Sequence, residues 1–561
     1  MSKKGDGTSI VKEASSQTQL EEDVEKHTES KKEDEATSVR PEALKNEEED
    51  IDPKMEDEAQ QPKGMSILLV MISIYLSLFL VALDRTIIAT AIPRITDDFN
   101  SLEDVGWYGS AYTLTMCASQ LLFGRIYTFY SPKAVFLASI FIFEVGSTIC
   151  GAAPSSIALI IGRAIAGLGS AGVFSGIVVI IMHSIPLRKR PIYMGFMGAV
   201  FGVASVAGPI LGGAFTDHVS WRWCFYINLP LGGFSVAVLV LVLRIPTMVD
   251  NMTFKEKMIQ LDPLGTVIFM PSIVCLLLAL QWGGAKYAWS DGRIIALLVI
   301  FSITLLVFVA VEIWRGESAT VPPRIIRQRS IASGVWFTTC IGGGMLVLVY
   351  YLPFWFQAIK DASAVKSGIM NLPMLLGVVL FSIISGALVT MSGFYTPFMI
   401  GSSVFFSIGC GLLTTFTTTT GHEKWIGYQV LAGMGLGLGV QQTATAANAV
   451  LDKKDVPTGT SLMFFAQGLG GAVFISVAQN ILSNKLISGL SGVEGIDARV
   501  IANTGATELR HVVDSSLLDL VLNVYNDALT DVFKVALVLG CCSLVGAVAM
   551  EWVSVKGKRP H

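Results

Sequence analysis

The chain has 561 residues and a formal net charge of −4, and it is 52% hydrophobic against 15% charged. A soluble domain carries about 25% charged side chains, so an ordinary water-soluble enzyme is excluded and no nucleic-acid partner is expected. The eight cysteines show no C-x-x-C spacing and the six histidines never pair at ligand spacing, so no metal or cofactor is expected either.

Residues 1–64 hold 19 acidic and 10 basic side chains, leaving 25 acidic and 30 basic for the other 497 residues. This segment cannot bury a core and reads as a disordered acidic cytoplasmic tail. Because the first apolar run begins only at Met65, no cleaved secretory signal is expected.

A membrane helix needs about 20 mostly apolar residues. Runs of that kind lie near 66–92, 107–127, 134–153, 157–182, 193–215, 224–244, 263–281 and 294–314. They continue at 332–352, 369–391, 396–416, 425–447, 460–482 and 533–555, which makes fourteen spans. Basic side chains collect in alternate loops, at Arg125 and Lys133, at Arg188, Lys189 and Arg190, at Lys255 and Lys257, and at Lys453 and Lys454. That bias puts these loops and both termini in the cytoplasm. The sequon Asn251-Met-Thr253 then faces the cytoplasm, and no glycan is expected there. The expected organisation is a first six-helix half at 65–245 and two inserted spans with their loops at 246–331. A second six-helix half follows at 332–555, with an outer loop at 483–532, and a basic tail at 556–561.

Within this frame the first charged candidate is Asp84, in the second half of span 1. It reads either as a helix-end residue near the outer interface or as a proton-coupling group. Glu144, deep in span 3 between aromatic residues, reads as a static packing residue or as a proton carrier. Burial disfavours a carboxylate's charged form and a nearby arginine favours it, so a group poised between the two can load and release a proton. Arg163 opens the run Gly162-Arg163-x3-Gly167-x-Gly169, which returns as Gln429-x3-Gly433-x-Gly435. A charge at that depth is expensive and faces a bundle interior or a substrate path, and a repeated plan is a habit of secondary transporters. Arg163 serves as a coupling group or as a structural partner of either carboxylate. In span 5, Gly198, Gly202, Gly208, Pro209, Gly212 and Gly213 form a glycine-lined face with a proline break. Such a face is plain tight packing, or a seam that resists proton leak and flexes during a cycle. Gln357, Gln441, Gln442 and Gln467 are uncharged polar groups near half-ends of spans, suited equally to substrate contacts and interhelical bonds.

Taken together, Leu83-Asp84-Arg85-Thr86, Gly162-Arg163-x3-Gly167 and Gly208-Pro209-x2-Gly212-Gly213 resemble the 14-span drug:proton antiporter branch of the major facilitator superfamily. Phe143-Glu144, Trp221-Arg222-Trp223, Tyr350-Tyr351-Leu352-Pro353 and Phe465-x-Gln467 look like its filamentous-fungal toxin-efflux group, the aflatoxin-pump and HC-toxin-pump type. The likeness covers roughly 66–555 and implies an all-α fold, two six-helix halves with two inserted spans. It also implies proton-coupled export of a small amphipathic secondary metabolite or toxin by alternating access. The partners would be that molecule, protons and the bilayer of the cell or vacuolar membrane, with the chain working as a monomer. One departure stands out: the family's cytoplasmic gate loop carries an Asp four residues after its first Gly. Here Gly124 is followed by Arg125 and, at the acidic position, Thr128, with Lys133 further on. A charge latch anchored on that Asp is not expected, and Arg125 and Lys133 then simply follow the positive-inside bias. The alternatives are a 14-span carrier for siderophore–iron uptake and a non-transporting membrane sensor. No nucleophile elbow and no GxxxxGK[ST] motif appears, so neither an enzyme nor direct nucleotide drive is supported.

Overall fold

The computed structural model describes residues 64–556, except 100, 102–103, 246–252, 285, 494–496, 499–500 and 502–508. The acidic tail and the Asn251 sequon therefore lie outside the described residues.

Lipid offers no hydrogen-bond partner to a backbone, so long apolar runs must satisfy their amides internally as helices. The first six are α1 (Met65–Phe99), α2 (Val105–Phe129), α3 (Pro132–Gly151), α4 (Ser156–Ser184), α5 (Arg190–His218) and α6 (Asn228–Val242). Then come α7 (Pro263–Trp282) and α8 (Gly292–Arg315). The remainder are α9 (Arg329–Lys360), α10 (Leu372–Ser392), α11 (Thr396–Leu413), α12 (His422–Gly439) with α13 (Gln442–Val450), α14 (Val456–Leu490) and α15 (Leu518–Ala549). Starts are marked by local chemistry: proline in the first turn of α3 and α7, where its missing N–H costs nothing, and the Ser155 hydroxyl accepting from the Ala158 amide of α4.

Among the described residues, twelve helices are long and apolar enough to cross a membrane. Helix α2 falls outside that count because Thr113, Thr115, Ser119, Gln120 and Arg125 dilute its apolar character. The α12–α13 pair falls outside because it opens on His422-Glu423-Lys424 and is interrupted at Val440-Gln441.

In the first set α1 packs on α5 and α6, and α4 on α2 and α3. The second set repeats the plan, with α9 on α14 and α15, and α12 on α10 and α11. The sets meet along two seams, α2 against α14 and α5 against α10. Helix α7 lies beside the first seam, touching both α2 and α14, while α8 packs on α7 and leaves most of its apolar surface exposed.

The expected last span, 533–555, and the outer loop, 483–532, need correction. Helix α14 continues to Leu490 and α15 begins at Leu518, ending at Ala549. Much of the expected loop is therefore helix continuous with α14 and α15. Leu486 and Leu490 bury against the same core as Val521, Tyr525 and Leu529, and Lys485 reaches Asp531 at 2.8 Å. Polar residues in these stretches break the apolar run without breaking the helix.

Candidate functional site

The repeated sequence explains how the charged centre is assembled. A Cβ at Gly167 would collide with the Tyr112 carbonyl, so glycine lets α4 lie directly on α2. That approach brings Arg163 Nε to donate to the Tyr108 carbonyl at 2.9 Å. In the second copy Gly433 stands against the Met374 carbonyl, and Gln429 Nε2 donates to the Met370 carbonyl at 3.0 Å. A polar side chain four residues before the contact glycine thus ties each helix to its partner. Only the first copy carries a charge.

Arg163 Nη1 donates to Asp84 Oδ2 in an ion pair between two fully buried side chains. Asn228 Nδ2, at the start of α6, donates to Asp84 Oδ1 at 3.3 Å and to Ser147 Oγ at 3.1 Å. The guanidinium also lies over the Tyr112 ring, 4.4 Å from its centroid, where the negative ring face attracts it. Four helices thereby converge on one pair of charges. Glu144 stands apart. It is half-buried on α3, and a Cβ on Gly232 of α6 would overlap its carboxylate. Both of its oxygens are shielded and have no hydrogen-bond partner among the described residues. Since buried polar atoms are nearly always paired, this carboxyl group is unusual in the bundle.

Between the halves lies a cavity with about 790 Å³ of atom-free space, part of it open to solvent. Its wall is mostly Met, Phe, Leu and Val, with Met116, Phe174, Met345 and Phe464 prominent. Three polar side chains reach it: Arg85 from α1, Gln441 from the α12–α13 interruption, and Gln467 from α14. Gln442 instead donates to Ser385 Oγ at 3.2 Å, and Gln357 to Ser367 Oγ at 2.9 Å, so neither lines this cavity. Arg85 was quoted in the sequence only as part of a motif. The signal that singled out Arg163, a charge deep in an apolar run, applies to it equally.

The glycine-lined face of α5 serves two neighbours. Gly198 and Gly202 stand against Ser382 and Val379 of α10, across the seam, while Gly208 and Gly212 stand against Thr86 and Thr90 of α1. Pro209 lies inside the continuous helix, and Gly213 faces open space. Hydrogen bonds joining the halves cluster toward the Gly124 end. Ser175 and Ser461 pair at 2.8 Å, Arg190 Nη1 donates to Asn448 at 3.3 Å, and Ser382 Oγ donates to the Gly195 carbonyl at 3.0 Å. A side chain on Gly124 would strike Ser461 and the Pro457 carbonyl. With Thr128 in the acidic position, charge is engaged differently here. Arg125 Nη2 donates to the Gln260 carbonyl at 2.8 Å, in the segment leading into α7, while Lys133 Nζ caps α6 through the Val240 and Leu243 carbonyls. Arg324, in the segment after α8, holds Asp455 through two bonds of 2.5 and 2.8 Å and Glu317 at 2.7 Å. Those carboxylates push its pKa up and keep it charged.

The description Major Facilitator Superfamily matches residues 74–475. The chain is 56% identical over 499 residues to the MFS-type efflux pump MFS1 of Trichophyton rubrum, covering 88% of this chain and 93% of that one. It is 52% identical over 500 residues to the efflux pump aflT of Aspergillus parasiticus, covering 88% and 97% respectively. Among solved structures, the human organic anion transporter MFSD10 superposes with a TM-score of 0.55 at 12% identity, covering 85% of this chain and all of that one. That last likeness concerns the fold.

Proposed function

Because the chain belongs to the major facilitator superfamily and is a multi-pass membrane transporter of its efflux-pump branch, we propose that it exports a small amphipathic organic molecule in exchange for protons. The relatives are named as efflux pumps, one of them, in Gibberella zeae, as rubrofusarin-specific. Cargo of the secondary-metabolite or toxin class fits that company. The observation that carries the reading is the cavity: an apolar, Met- and Phe-rich chamber between two related halves, with only three polar side chains. Flexible Met and flat aromatic walls suit varied planar molecules.

In this reading the conformation is outward-facing, with the Gly124 end cytoplasmic and closed, and alternating access opens the two seams in turn. Helix α2 and the α12–α13 pair complete fourteen spans, which returns both termini to the cytoplasm. Asp84, Arg163 and Glu144 carry proton coupling. Asp84 exchanges Arg163 for a proton during the cycle, while Glu144, already without a hydrogen-bond partner, loads independently. Gln441 and Gln467 contact cargo, whereas Gln357 and Gln442 brace helices.

The test is transport in proteoliposomes with an imposed proton gradient, following a fluorescent aromatic dye. The expected result is dye movement against proton flow, abolished by a protonophore. Dye movement indifferent to the gradient removes the proton coupling, and movement in the direction of proton flow marks an uptake carrier instead.

A further inference from the structure

Arg85 is the one cavity-lining side chain with a formal charge. It sits one residue beyond Asp84, yet the Asp84 carboxylate is occupied by Arg163 and Asn228. No hydrogen bond or ion pair joins Arg85 to another described residue, and the ionisable groups that influence it are Tyr112, Cys117 and Arg163. None of these is a carboxylate. The other two polar groups, Gln441 and Gln467, are neutral, and Gln441 Oε1 is itself shielded and unpaired. Among the described residues, the chamber therefore holds one positive charge with no hydrogen-bonded or ion-paired carboxylate to balance it.

An arginine retained at that depth needs an anionic partner or water, and its planar fork matches a carboxylate or a phenolate oxygen well. The apolar wall supplies the other half of the recognition. We propose that Arg85 is the specificity-determining residue of the cavity and that the cargo is an aromatic organic anion, bound with its carboxylate or acidic phenolate on the guanidinium. Its ring system lies among Met116, Phe174 and Phe464, and the unpaired Gln441 amide on the cavity wall takes a carbonyl or hydroxyl substituent. This deepens the export reading and rests on it for the direction of transport, but not for the binding preference.

Binding and transport are accordingly tested apart. The purified full-length chain in nanodiscs is titrated with anthracene-9-carboxylate and with its neutral methyl ester, which share a ring system and differ in charge. The wild type is expected to bind the anion at least tenfold more tightly than the ester. Arg85→Gln should lower that ratio to near one while leaving ester affinity within about twofold, and Arg85→Lys should keep a ratio above one. A wild-type ratio of one, or a ratio unchanged in Arg85→Gln, overturns the proposal. Folding is checked by size-exclusion profile, and ester binding itself reports an intact cavity. Efflux of both probes from loaded proteoliposomes then addresses the other reading. Charge-selective binding without proton-driven efflux removes the export mechanism and leaves the Arg85 assignment standing. Proton-driven efflux of both probes at equal rates and affinities does the reverse.

Discussion

Neutralising Asp84 or Arg163 alone leaves a buried charge without its partner, which costs about 3–5 kcal/mol in proteins. The structure says which substitution is worse. In Asp84→Asn, Arg163 keeps the Tyr108 carbonyl at 2.9 Å and the Tyr112 ring at 4.4 Å, so the loss falls near the lower bound, about 3 kcal/mol. In Arg163→Gln, Asp84 retains only Asn228 at 3.3 Å, and the loss approaches the upper bound, about 5 kcal/mol. If the sites were independent, the double substitution would cost about 8 kcal/mol; because it removes both charges together, it should cost no more than Arg163→Gln alone. The coupling is then about 3 kcal/mol, the upper end for residues in contact. The assay is unfolding in mixed micelles followed by tryptophan fluorescence on all four proteins, with export of a fluorescent amphipathic dye measured alongside. A double mutant at the sum of the singles, or Asp84→Asn worse than Arg163→Gln, refutes the reasoning.

Glu144→Gln keeps the shape of an unpaired carboxyl while removing its titration, and it is expected to erase the pH dependence of efflux while leaving dye binding within about twofold; an unchanged pH profile would make Glu144 a packing residue. Arg324→Gln breaks the bonds to Asp455 and Glu317 at a half-exposed position, so stability should fall by less than about 1 kcal/mol. Its visible effect should be faster labelling of a cysteine placed at Ser461 from the side on which Gly124 lies, and unaltered labelling would mean the contact does not restrain that seam. Removing residues 1–61, whose composition cannot support a core, should leave transport per inserted molecule unchanged, read by dye efflux normalised to membrane protein.

The apolar runs were legible because lipid forces each of them into a helix: twelve of the fourteen expected segments fall each on one helix, with ends shifted by up to eight residues, and the one at 425–447 falls on α12 and α13, broken at Val440-Gln441. The last was displaced because α14 runs on to Leu490 and α15 starts already at Leu518, through polar stretches that interrupt the apolar run without ending the helix. The rule that intramembrane charges find partners left Asp84 and Glu144 equally open to Arg163, and the fold selects Asp84. Position along a run, however, says nothing about rotation around the helix. Gln441 and Gln442 are neighbours in sequence and face different surroundings, one the cavity and the other Ser385. Gln441 lies in the break between α12 and α13 and Gln442 opens α13, so a shift of one position separates a lining group from a bracing one. Arg85 was passed over as one letter of the Leu83-Asp84-Arg85-Thr86 motif, whereas the fold gives it the cavity and gives Asp84 to Arg163 and Asn228.

The unbalanced charge of Arg85 also bears on membrane voltage. One proton entering across about 100 mV gains roughly 2.3 kcal/mol, and one pH unit adds about 1.4. If the cargo leaves as a monoanion, its own movement out of a negative interior gains roughly another 2.3 kcal/mol. The drive for one-for-one exchange then rises from about 3.7 to about 6 kcal/mol, and the sustainable concentration ratio rises about fiftyfold. Most of that drive is electrical. Such a carrier slows on depolarisation well before it slows on loss of the pH gradient.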